Sequence, residues 1–210
     1  MREAATALVL FAVMSSSEII DRIAVTVDNR VITESEIFRQ IRITAFMNGD
    51  KPDFSPANKR NTAEKLVEQE LIRREIETSR YITTPGSSKE LYQQLRQRYK
   101  DEAAYTIALK EYGIADQDVR EAFEWQATLL EFISVRFRPG IQISEAELKE
   151  YYESEIAPKL AASGEKISFE DAREQIEDIL TQQRVDNALD RWLGQMRTQS
   201  RIRYRREVLP

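Results

Sequence analysis

Short boxes, each a Ser or Thr followed three residues later by an acid, stand ahead of apolar-periodic runs at Thr33/Glu36, Ser87/Glu90, Ser144/Glu147 and Ser168/Asp171. In such a box the hydroxyl accepts a hydrogen bond from a free main-chain N–H of the first helical turn, and the acid reaches back to the N–H of the cap residue. One box is a weak signal. Several of them, each opening an apolar-periodic run, commit the chain to helices. Ser55-Pro56 adds another start, with proline at the first helical position, where no N–H donor is needed. Gly113 suits the residue just past a helix end, and Pro139-Gly140 marks a break. Six glycines and six prolines in 210 residues supply too few turns for a sandwich or barrel of many short strands.

These signals predict helices over Glu34–Met47, Pro56–Arg80, Ser88–Tyr99, Glu102–Tyr112, Gln117–Phe137, Glu145–Ala161 and Phe169–Thr198. The longest, the last, carries a stripe of Ile176, Ile179, Leu180, Leu189, Trp192, Leu193 and Met196 that turns one face inward. In the helix from Pro56, Leu66, Val67, Leu71, Ile72 and Ile76 spread over more than one face, so that helix is expected between other elements. Trp125 and Trp192 fit helical apolar stripes and are assigned to the core. Tyr151 and Tyr152 point about 100° apart on a helix, so at most one is expected to be deeply buried.

Period-two alternation is confined to the two ends. Ile23, Val25 and Val27 alternate with Arg22, Ala24 and Thr26; Asp28-Asn29 then offers a two-residue turn before Arg30-Val31-Ile32. Asp and Asn tolerate the positive φ that such a turn requires. Ile202 and Tyr204 alternate with Arg201, Arg203 and Arg205. A lone hairpin is marginal in water, so the C-terminal strand is expected to pair with it. The predicted fold is mainly α: a multi-helix domain with a small antiparallel sheet built from an N-terminal β-hairpin and a C-terminal strand.

Residues Ala4–Met14 form an apolar run too short to span a bilayer, which takes about 20 residues. Met1-Arg2 precedes it and Ser15-Ser16-Ser17 follows, the parts of a secretory signal, although Glu3 and the lack of an Ala-x-Ala site depart from the usual pattern. The expectation is an exported chain with a signal over residues 1–17 and one domain over 18–210, its N-terminal part 18–138 and its C-terminal helices and closing strand 139–210.

Composition narrows function. The formal charge is −5, a poor match to non-specific phosphate binding, so no nucleic-acid partner is expected. The basic cluster Arg197, Arg201, Arg203, Arg205 and Arg206 reads as the solvated face of a terminal strand. No histidine and no cysteine are present, which removes Ser-His-Asp and Cys nucleophile chemistry, thiolate or imidazole metal sites, and disulfides. No Gly-rich phosphate loop or Ca-binding loop appears. Carboxylate pairs such as Glu68/Glu75 and Glu170/Glu174 read as solvated helix faces. No catalytic residue, cofactor or metal is expected.

Asp21-Arg22-Ile23-Ala24-Val25-Thr26-Val27-Asp28-Asn29-Arg30-Val31-Ile32-Thr33-Glu34-Ser35-Glu36-Ile37 resembles the opening of the SurA-type periplasmic chaperones, where a hairpin leads into a capped helix. The likeness continues through Leu66–Ile76, Tyr112-Gly113-Ile114 with the helix Val119–Val135, and Ile143–Tyr152, similar to the family's Ser-Glu-x-Glu entry ending in Tyr-Tyr. The final helix and strand resemble the element that closes the family's chaperone domain. The order of these elements is specific; no single motif is. Much of that family carries a parvulin-type prolyl isomerase domain before the final helix. Here the corresponding gap spans only Glu153–Lys166, against roughly 100 residues for such a domain. The resemblance therefore implies the chaperone module alone: ATP-independent holding of unfolded outer-membrane or secreted polypeptides in the periplasm, without isomerase activity of its own.

Soft and aromatic side chains suit that task because they offer large adaptable contact area. Phe46, Met47, Phe54, Tyr92 and Tyr99, near helix ends or among polar neighbours, are the candidate client-binding residues. The rival reading is a non-catalytic helical adaptor for one folded envelope partner. Whether two copies form a homodimer by exchanging elements stays open.

Overall fold

The computed structural model of the protein describes residues 21–79, 87–164 and 166–209. The expected signal over residues 1–17 lies outside them. Strand β1 (Ile23–Val27) and strand β2 (Arg30–Thr33) form the antiparallel hairpin, with Val27 opposite Arg30 across the turn. Asp28 takes the left-handed φ of 49° that the turn demands. Its carboxylate makes the position worthwhile: Oδ1 accepts the Arg201 N–H at 2.8 Å and Oδ2 receives the Arg74 guanidinium. One aspartate thus ties the turn to both the C-terminal strand and the second helix. Strand β3 (Ile202–Tyr204) pairs antiparallel with the far side of β1, giving the order β2-β1-β3.

β2 runs directly into helix α1 (Glu34–Asn48). Thr33 Oγ1 accepts the Glu36 N–H at 3.3 Å while Glu36 accepts the Thr33 N–H at 2.8 Å. Gly49, at φ 78°, ends α1 in the left-handed conformation that a side chain disfavours. Then come α2 (Pro56–Ser79), α3 (Ser87–Arg96), α4 (Glu102–Tyr112) and α5 (Asp116–Phe137). α6 (Glu145–Tyr151), α7 (Ala157–Ser163) and α8 (Phe169–Gln199) complete the set. The boxes at Ser144 and Ser168 open α6 and α8 as expected.

The helix expected to run unbroken from Glu145 to Ala161 is interrupted. Tyr152–Ile156 is a π-turn in which the Ala157 N–H reaches the Tyr152 carbonyl, five residues back. Pro158 is the cause: it has no N–H for the carbonyl of residue 154, and its ring crowds that carbonyl, so the helix widens by one residue. Tyr151 and Tyr152 are both half-buried; the Tyr152 hydroxyl donates to the Ile167 carbonyl at 2.6 Å.

Among the described residues three hydrophobic clusters organise the interior. The largest joins the inner face of the sheet to α1, α2, the second half of α5, the second half of α8 and the buried Val208-Leu209. α2 lies between the sheet, α1 and α8, which explains its apolar residues on several faces. The second cluster gathers Phe46, Leu95, Tyr105, Leu109, Val119 and Phe123 from α1, α3, α4 and α5. The third is a satellite of Leu148, Ala172 and Ile176. α8 has 31 residues, about 46 Å at the helical rise, and serves two clusters in turn. Its first half covers α6, and Trp192 and Leu193 in its second half close the main core.

The C-terminal basic residues do not behave alike. Arg201, Arg203, Arg205 and Arg206 are exposed, but Arg197 is drawn between Glu64 at 2.9 Å and Glu68 at 3.0 Å, fastening α8 to α2. Glu68 and Glu75 are likewise not a free acidic face, since Glu75 meets Arg136 at 3.1 Å.

Candidate functional site: a groove between α1, α2 and α5

Three helix stripes with the same spacing face one groove of about 680 Å³. From α1 come Glu36, Arg39, Gln40, Ile43, Thr44, Met47 and Asn48. From α2 come Leu66, Gln69, Glu70 and Arg73. From α5 come Asp118, Glu121, Ala122, Trp125, Gln126 and Leu129. Each set recurs at three- and four-residue intervals, one face of a helix. Arg30 and Ile32 of β2 also line it. Between Glu36 and Asn48, α1 rises about 18 Å, the reach of roughly five residues of extended chain.

The charges along the walls are neutralised in place. Arg30 meets Glu36 at 2.6 Å and Glu70 at 3.8 Å. Arg39 is bound by Asp118 and lies 3.6 Å from Glu121. Asp118, nearly buried, also accepts the Ala115 N–H at 2.8 Å and so fixes the start of α5. Burial pushes the Glu70 carboxyl above its ordinary range, and the neighbouring Arg30 and Arg73 only partly offset this. The Arg73 guanidinium sits 4.7 Å over the Trp125 ring and bridges the α2 and α5 walls. Apolar and amide groups are left facing the groove: Ile43, Met47, Leu66, Trp125 and Leu129 beside Gln40, Gln69 and Gln126.

Of the five residues expected to bind clients, the structure brings only Met47 to this groove. Phe46 is 1% exposed and is core, contrary to expectation. It is wedged against Tyr99, Tyr105 and Tyr112 at centroid distances of 5.9, 5.9 and 5.3 Å. Tyr99 is half-buried in the same stack, and burial raises its phenol pKa. Tyr92 is committed elsewhere: its hydroxyl donates to Asp116 at 2.6 Å and accepts from Arg120 at 2.8 Å. Burial would lift the Asp116 carboxyl, but hydrogen bonds from Tyr92, Tyr105 and Arg120 outweigh it and hold the group below its usual range. Phe54 is exposed, but it packs edge-on against Phe38 at 5.5 Å, and Phe38 lies on the face of α1 opposite the groove.

Trp125 belongs only partly to the core to which its stripe assigned it: it packs against the main cluster and turns toward the groove. The sequence signal for the groove was a helical spacing in which polar and apolar residues mix. Hydrophobic periodicity does not register such a stripe, because it looks for apolar residues alone.

No protein-family model matches the chain. A comparison with curated proteins finds no match either. No helix among the described residues is long and apolar enough to cross a membrane, and those residues contain no group of three or more acids that could hold a metal.

Proposed function

We propose that the protein is an ATP-independent holding chaperone of SurA type that takes short extended segments of unfolded outer-membrane or secreted polypeptides into the groove between α1, α2 and α5. The observation that carries this reading is the groove's lining. A thioether, an indole and aliphatic side chains stand beside glutamines, within walls whose charges already have partners. Such a surface grips many side chains without demanding one. Its volume of about 680 Å³ suits a few residues rather than a folded domain. The resemblance of the hairpin and capped α1 to the SurA-type opening supports the same reading, and with it an exported, periplasmic setting.

The test is aggregation of a urea-unfolded outer-membrane protein on dilution, followed by light scattering without nucleotide. The full chain is expected to suppress scattering at near-stoichiometric amounts. The double variant M47S/W125A, still folded by circular dichroism, is expected to lose most of that effect. No suppression by the parent at large excess refutes the reading and points to an adaptor for one folded partner. Equal suppression by the variant moves the binding surface away from this groove.

A further inference from the structure

Among the described residues no strand lies beside the outer edge of β3. Asp28 N–H donates to the Arg201 carbonyl at 3.0 Å, and Arg205 N–H donates to the Ala24 carbonyl at 2.9 Å. With Thr26 opposite Arg203, this alternation directs the main-chain groups of residues 201, 203 and 205 toward β1. The N–H and C=O groups of Ile202 and Tyr204 therefore point away from the sheet, toward no other strand among the described residues.

The side chains alternate in the same way. Ile202 packs on the main core, and the Tyr204 hydroxyl donates to Glu64 at 2.8 Å, so both are directed inward. Arg203 and Arg205 project from the other face, and Arg206 follows. All three are exposed and make no ion pair among the described residues, in a chain of net charge −5. Arg197, a few residues earlier, is by contrast closed off by Glu64 and Glu68. Three uncompensated guanidinium groups beside a directional row of backbone donors and acceptors define a partner by charge and shape.

We infer that β3 is a docking edge for an extended acidic peptide segment, which adds as a fourth, antiparallel strand with carboxylates at alternate positions facing Arg203 and Arg205. The two-residue repeat of a strand, about 6.8 Å, matches the spacing of those arginines. A second copy of β3 is a poor occupant, because antiparallel self-pairing sets arginine against arginine. An anionic membrane would meet the guanidinium groups but leave the edge N–H and C=O groups unpaired. This edge is separate from the groove and does not depend on what the groove binds.

The experiment uses the full chain and a fluorescein-labelled, end-capped nonapeptide alternating Glu and Val, read by anisotropy. The acidic peptide is expected to bind, and its Lys-Val counterpart is not. In the paired strand the valines face Ile202 and Tyr204. N-methylation at the valines is therefore expected to weaken binding by about tenfold or more, whereas N-methylation at the glutamates spares it. The variant R203E/R205E, altered only at exposed side chains, is expected to exchange preference for the Lys peptide. Equal binding of both N-methylated peptides overturns strand addition. No binding of the acidic peptide overturns the proposal, as does binding to phosphatidylserine-containing vesicles alone.

Discussion

Phe46→Ala separates a core aromatic from a binding one. Phe46 is 1% exposed, with three tyrosine rings around it at 5.3 to 5.9 Å. Removing the phenyl group forfeits its transfer free energy and leaves a cavity that these rings cannot collapse to fill without losing one another's edge contacts. The expected cost is about 3–5 kcal/mol. For a chain of this size that corresponds to a fall in Tm of roughly 6–20 °C. The comparison variant is Phe54→Ala: Phe54 is 40% exposed and its ring leans on Phe38 from one side, so a loss of about 1 kcal/mol or less is expected. Thermal melts followed at 222 nm, repeated with urea titrations at fixed temperature, measure both. A Phe46→Ala melt within about 2 °C of the parent refutes the packing argument and returns Phe46 to the list of surface residues.

Two further outcomes follow from the electrostatics. The folded pKa of Glu70 lies above its ordinary value, so the fold prefers the neutral acid; the stability this contributes is present below the unfolded pKa and lost as pH rises through the folded one. Glu70→Gln is therefore expected to melt higher than the parent at neutral pH, with the gap narrowing as pH falls through the raised folded pKa and gone below about 4; a lower melt at neutral pH refutes the sign. Arg197→Ala leaves Glu64 and Glu68 unneutralised between α2 and α8. Because these side chains are about a third exposed, the expected loss is on the order of 1 kcal/mol, shrinking in molar salt. A loss unchanged by salt would assign the effect to packing of the Arg197 stem instead.

The order of the helices, most of their ends, the hairpin and the closing strand are legible in residue order because each rests on local chemistry. A cap box at Thr33, Ser144 or Ser168 satisfies donors within its own first turn, and a left-handed residue at Gly49 or Gly113 ends a helix by its own backbone preference. The helix expected over Ser88–Tyr99 stops at Arg96, and the one expected unbroken from Glu145 carries its warning in Pro158; what residue order does not state is that the chain absorbs the proline with a π-turn rather than a break.

Side-chain roles depended on what lies opposite, and that is a tertiary matter. Phe46 and Met47 are neighbours in sequence, yet Phe46 is closed inside a tyrosine stack while Met47, packed against the edge of the same cluster, also lines the groove. Tyr92 resembled an adaptable contact until Asp116 and Arg120, more than 20 residues away, took its hydroxyl. The groove exists because three helices bring mixed stripes to face one another, a coincidence of crossing positions that no single stripe encodes. The free arginines of β3 were visible from the start as a basic cluster. Only the register of β3 on β1 decided which backbone groups accompany them, since a shift of one residue would exchange every inward and outward group along the strand.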